Sequence, residues 1–129
     1  MSISLLLEMA VSGDPDRLAV VSGDVRLTTQ ELSDLADGGA GVIEASGCEH
    51  VAYVGAGGAM LPLLLFASAR SGRTFTPVNY RLSADGIEAL IERLPSPLVI
   101  VDARYRDMIG SAGKAVMDSD EFLAAARTA

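Results

Sequence analysis

Short apolar runs alternate with amphipathic stretches along the whole chain, and the spacing of the apolar positions predicts strand or helix for each. Residues 3–11 read as a first helix, stopped by the turn Gly13-Asp14-Pro15. Ala19-Val20-Val21 and Val25-Arg26-Leu27, joined through Gly23-Asp24, read as a hairpin with a tight turn. Thr28-Thr29-Gln30-Glu31 is a capping-box pattern. In it the Thr28 hydroxyl accepts from the Glu31 amide while the Glu31 carboxylate reaches back to the Thr28 amide. The helix it opens places Leu32, Leu35, Ala36, Gly39, Val42 and Ile43 on a 3.6-residue period. Gly38, Gly39 and Gly41 interrupt it, each costing about 1 kcal/mol against alanine. Their presence predicts that another backbone packs closely on that face.

Val51-Ala52-Tyr53-Val54 reads as a buried strand, followed by the flexible turn Gly55-Ala56-Gly57-Gly58. A helix over 60–70 follows, with Pro62 tolerated in its first turn and Ser71-Gly72 as its stop, where glycine suits a left-handed cap. Thr74-Phe75-Thr76 is the next strand. Ser83 caps a helix whose Ile87, Leu90, Ile91 and Leu94 form one stripe, halted by Pro95 and Pro97. Leu98-Val99-Ile100-Val101 is a continuous apolar run of the kind buried on both faces of a parallel sheet. Ala115-Val116-Met117 adds a strand, and Asp118-Ser119-Asp120-Glu121 caps a last helix through Arg127. This order predicts a layered α/β fold, a mainly parallel sheet flanked by helices.

With 129 residues, the chain fits one domain that buries roughly two-thirds of its unfolded surface. Its net charge of −7 argues against nucleic acid or an anionic membrane surface as partner. Cys48 is the single cysteine, which excludes an intrachain disulfide and fits a reducing, cytoplasmic setting. Residues 1–10 carry Glu8 and no basic residue, unlike a secretory signal. The apolar run 59–69 is about half the length that crosses a bilayer and contains Pro62, so no transmembrane segment is expected.

Four constellations invite a chemical reading. Gly55-Ala56-Gly57-Gly58-Ala59-Met60 lies between strand and helix, where a dinucleotide fold places G-x-G-x-x-G. Met60 is bulky where the third glycine belongs, and no acidic residue occurs at 75–80, about 20 residues on, to hold a ribose. No lysine follows to make a phosphate loop of the other common type. Asp102 ends a strand, as a phospho-accepting aspartate does, but Asp14 and Asp16 flank a proline turn and Lys114 follows Gly113, so its partners are missing and a capping or loop role is expected. Cys48 and His50 lie on one side of an extended segment, yet a nucleophile needs a third, orienting group, and two ligands are too few for zinc. Asp118 and Asp120 read as solvated helix-entry charges. The residues therefore spell out no complete catalytic apparatus.

The stretch from Ala67 to Ser83, ASARSGRTFTPVNYRLS, resembles a signature of the adenylate-forming enzymes of the acyl-CoA synthetase type. There a helix ends in A-x-x-x-G, enters a strand, and leaves through a turn of the form P-L-N-x-R-L, here Pro77-Val78-Asn79-Tyr80-Arg81-Leu82. Flanking segments resemble the family in order: Asp16-Arg17-Leu18-Ala19-Val20, Leu27-Thr28-Thr29-Gln30-Glu31-Leu32, residues 83–101, and Asp120-Glu121-Phe122-Leu123. Cys48-Glu49-His50 departs from the family's Gly-Asp-Arg turn, and Gly55 to Gly58 replace its Asn-Ser turn. The resemblance implies a parent that joins a carboxylic acid of the fatty-acid type to AMP using ATP and Mg2+, then passes the acyl group to CoA. It also implies that residues 1–129 are a single α/β subdomain, the first of the large N-terminal domain, cut before the phosphate loop. No catalytic, cofactor-binding or metal-binding residue carries over. The segment alone is expected to be inactive, to bind no cofactor, and to self-associate through surface left exposed by truncation. The rival readings are a stand-alone nucleotide-binding module using residues 55–60 and a non-enzymatic protein-interaction domain.

Overall fold

A computed structural model describes residues 3–22, 25–79, 81–109 and 115–128. Helix α1 (Ile3–Gly13) leads into strands β1 (Leu18–Ser22) and β2 (Val25–Thr28), which pair antiparallel as a separate two-stranded sheet. The predicted turn residues Gly23 and Asp24 lie outside the described residues. Helix α2 (Thr29–Ser46) follows, with the capping box formed as anticipated: Glu31 N donates to Thr28 Oγ1 at 3.1 Å, and Thr28 N to Glu31 Oε1 at 3.0 Å.

Strand β3 (His50–Gly55), helix α3 (Met60–Ser71), strand β4 (Thr74–Asn79), helix α4 (Ala84–Glu92) and strand β5 (Pro97–Val101) come next. A 3-10 segment (Ala103–Ile109), strand β6 (Ala115–Asp118) and helix α5 (Ser119–Thr128) complete the chain. The four later strands form one parallel sheet in the order β4-β3-β5-β6. Strands β4 and β5 each accommodate one proline for positional reasons. Pro77 lies on an edge strand and Pro97 opens its strand, the places where a ladder tolerates a missing N–H.

The central strands are buried on both faces, which explains their unbroken apolar runs. Val51, Tyr53, Leu98 and Ile100 pack with Leu35, Ile43, Leu63, Leu64 and Phe122 beneath α2, α3 and α5. Ala52, Val54, Val99 and Val101 pack with Ile87, Ile91 and Ile109 beneath α4 and the 3-10 segment. Leu90, placed on the buried stripe by its spacing, is 39% exposed, and within α4 only Ile87 and Ile91 are buried.

The α2 glycines divide by what they touch. A Cβ on Gly38 would overlap the backbone carbonyl of Ala126 in α5, and one on Gly39 would press on Phe122 and Ala67. Gly41 has nothing within 4 Å, so close packing accounts for the first two and not for the third. Helix ends follow local rules. Gly72 ends α3 with φ 71°, Ser83 Oγ accepts from Gly86 N at 3.1 Å, and Glu121 N donates to Asp118 Oδ1 at 2.8 Å ahead of α5. That last bond holds the Asp118 carboxyl below its usual range.

Candidate functional site

In an open parallel sheet, ligands are taken up at the carboxyl ends of the strands, where neighbouring strands feed connections to opposite faces. Here that place lies between β3 and β5. Strand β3 passes into α3 on one face, while β5 passes into the 3-10 segment, whose Ile109 packs on the other. The 55–58 loop and Asp102 occupy this point.

Asp102 follows the last residue of β5, and its amide continues the strand's pattern by donating to Val54 O at 2.9 Å. Its carboxylate then turns across the end of β3. Oδ2 accepts from Ala56 N at 3.0 Å; Oδ1 accepts from the Tyr53 hydroxyl at 3.0 Å and from Ser119 Oγ at 2.5 Å. With its hydrogen directed at Asp102, the Tyr53 oxygen keeps a lone pair that accepts from Gly57 N at 3.3 Å. Burial of the ring and then the Asp102 charge push the Tyr53 phenol well above the usual tyrosine range. Gly55 makes the arrangement possible, since a Cβ there would fall onto the Asp102 carboxylate and the Tyr53 hydroxyl.

Two hollows flank the loop. One of about 320 Å³ opens towards β4, lined by Tyr53, Ala56, Leu61, Pro77 and Val78. Another of about 190 Å³ lies between α2, α3 and α5, lined by Leu35, Met60, Leu63 and Leu123, with Asp120 and Arg127 at its rim. The P-V-N-Y-R-L turn begins beside the first of them, because Val78 and Asn79 stand opposite Val54 and Gly55 in the parallel register. Tyr80 of that turn lies outside the described residues, as does Lys114.

The loop has the strand-to-helix context of a phosphate cradle, but its amides are engaged. Ala56 N meets a carboxylate and Gly57 N a phenol oxygen, and the Asp102 charge would repel a phosphate from the same spot. Met60 packs against the core. These residues do not fit the phosphates of ATP, and among the described residues no group of three His, Cys, Asp or Glu is placed to hold a metal ion such as Mg2+.

Cys48 and His50 do not act together. The Cys48 sulfur lies 3.8 Å from Ile43 O, whereas His50 Nε2 shares a 2.5 Å hydrogen bond with Thr76 Oγ1 on the neighbouring strand. Both are buried at the opposite, amino end of the sheet. Sequence reasoning noticed Asp102 as a strand-ending aspartate and Ser119 as part of a helix cap. It did not join them to Tyr53 and Ala56, because no local spacing signals a contact between positions 46 or 49 residues apart.

The family model for AMP-binding enzymes matches residues 7–127, almost the whole chain. The chain belongs to the AMP-binding enzyme family. Among its family relatives is the indoleacetate–CoA ligase of Aromatoleum aromaticum, 28% identical over 121 residues that make up 92% of this chain and 24% of that protein. A Mycobacterium tuberculosis fatty acyl CoA synthetase superposes with a TM-score of 0.89 at 24% identity, over 99% of this chain and 28% of the other. The anthranilate CoA ligase AuaEII, solved with anthranoyl-AMP, gives a TM-score of 0.90 at 15% identity, over 99% and 27%. These structural likenesses bear out the expected layered α/β fold. The chain spans about a quarter of the length of each of these proteins.

Proposed function

We propose that this chain is the first subdomain of an ATP-dependent acid–CoA ligase, with residues 1–129 forming one wall of its large N-terminal domain. The parent enzyme would join a carboxylic acid, of the fatty-acid type, to AMP with ATP and Mg2+, and then hand the acyl group to CoA. The observation that carries this reading is the family match over residues 7–127, supported by the likeness to a fatty acyl CoA synthetase. The segment's own contribution is structural. Its sheet is covered on both faces, and its loop amides at the carboxyl end are engaged internally. Nucleotide, metal and CoA would be held by polypeptide beyond residue 129.

A cytoplasmic setting is supported by the buried free thiol of Cys48 and by the lack, among the described residues, of a helix long and apolar enough to cross a membrane. Self-association of the isolated segment is supported by Leu6, Met9 and Val21, each more than half exposed. Leu6 and Val21 also line a groove of about 430 Å³ between α1, β1 and α3.

Three measurements test the reading. Calorimetry of the 129-residue chain with ATP should give no sub-millimolar binding. The chain extended through its own reading frame should release pyrophosphate from ATP only when a carboxylic acid is supplied. Unaided turnover by residues 1–129 would overturn the proposal. Sedimentation should show oligomers of the short chain that vanish in the extended one.

A further inference from the structure

Three separate stretches of chain meet at one carboxylate. From its own position after β5, Asp102 joins the end of β3 and the 55–58 loop that continues it, through Tyr53 and Ala56, to the first residue of α5, Ser119. The loop and α5 also face each other across the hollow of about 190 Å³. Ser119 and Ala56 bond to different oxygens of the same rigid, planar group. A shift of Ser119 therefore rotates the other oxygen away from the Ala56 N–H, whose hydrogen bond weakens steeply with misalignment. Gly55 leaves room for the carboxylate to lie against the strand end.

We propose that Asp102 is a positioning residue that clamps the 55–58 loop to the start of α5, so that loop and helix move as one body. Its bearing on acid activation rests on the function proposed above, because the loop lines both hollows at the ligand-facing end of the sheet. The test needs no turnover, so its failure would leave that reading standing.

The measurement is amide hydrogen exchange along the 129-residue chain, with the tyrosinate absorbance followed separately. Asp102→Ala should speed exchange at Ala56 and Gly57 by about tenfold or more, the scale of one lost hydrogen bond to a charged group. Ser119→Ala should speed Ala56 exchange several-fold, although Ser119 bonds no loop atom, and should add nothing in an Asp102→Ala background.

Asp102→Asn separates shape from charge. Its carbonyl oxygen can accept from Ala56 N while its amide donates to the Tyr53 oxygen, which then turns its proton to Gly57 O at 3.2 Å. Loop exchange should stay near that of the parent. The Tyr53 phenol should nevertheless ionise at lower pH, since the Asp102 charge facing it is gone while burial and the nearby Arg104 remain. Unchanged Ala56 exchange in Ser119→Ala, strictly additive effects of the two alanine variants, or loop exchange in Asp102→Asn as fast as in Asp102→Ala would each overturn the proposal. Should Asp102→Ala fail to fold, the Ser119→Ala and Asp102→Asn results decide it.

Discussion

Asp102 at the carboxyl end of the sheet and His50 at its amino end both bond a hydroxyl, yet the one gathers three donors from two distant segments and the other takes a single partner across one strand pair. Elsewhere at the amino end the polar bonds are made by neutral hydroxyls or by one guanidinium to backbone carbonyls. Arg73 Nε donates to Cys48 O at 2.7 Å, joining positions 25 residues apart, and its Nη1 donates to Ser71 O at 2.6 Å within one turn. The roomier hollow, about 540 Å³, also lies at that end, between Ser46, Cys48, Leu94, Ser96 and Pro97. Size alone is therefore a poor guide to a site in this fold. At the amino end of the sheet the space is bounded by turns and strand starts, whereas the connections that diverge at the switch point lie at the other end.

The contrast makes graded predictions. Gly55→Ala should be the most damaging single change, about 3 kcal/mol by urea unfolding, because the new methyl displaces both the carboxylate and the phenol. A loss under about 1 kcal/mol would mean that the carboxyl end yields as easily as a surface turn. Arg73→Ala should cost about 2 kcal/mol, the scale of hydrogen bonds from a charged donor, and should leave loop exchange at 55–58 unchanged. If it loosened that loop, the two ends would not be independent.

Tyr53→Phe should cost about 1 kcal/mol, since it removes one hydroxyl but keeps the ring, and Asp102 retains Ala56 and Ser119. The smallest effect belongs to His50. Burial holds its imidazole below the ordinary value of 6.5, so the unfolded chain takes up a proton there before the folded chain does. Its contribution is complete above about pH 6.5 and is lost as pH falls through the lowered folded value. His50→Gln should flatten the fall in melting temperature between about pH 7 and pH 5. An equally steep fall in the variant would assign it to carboxylates instead.

Much of the fold was legible along the chain because its signals are local. The Thr28–Glu31 box, the Ser83 cap and the left-handed Gly72 each depend on residues within a turn of one another, and each is found where it was read. Strand β4 runs three residues beyond its β-rich core, through Pro77, because only the sheet order makes it an edge. The 3-10 segment Ala103–Ile109 had no periodic signal, and Ile109 is buried because the sheet face needs cover there. The three α2 glycines looked alike in sequence, yet only Gly38 and Gly39 meet α5 or α3 side chains and backbone.

By itself, the order of residues determined the succession of elements, most of their ends, the alternation that buries both faces of the central strands, and the likeness to adenylate-forming enzymes. Periodicity and capping act over three to four residues, so they survive in a one-dimensional reading. Only the tertiary structure decided that Asp102 fills the end of β3, that Gly55 yields it room, and that Ser119 ties it to α5. Those contacts are set by strand order and by which face each connection takes, and neither is encoded in the spacing of nearby residues.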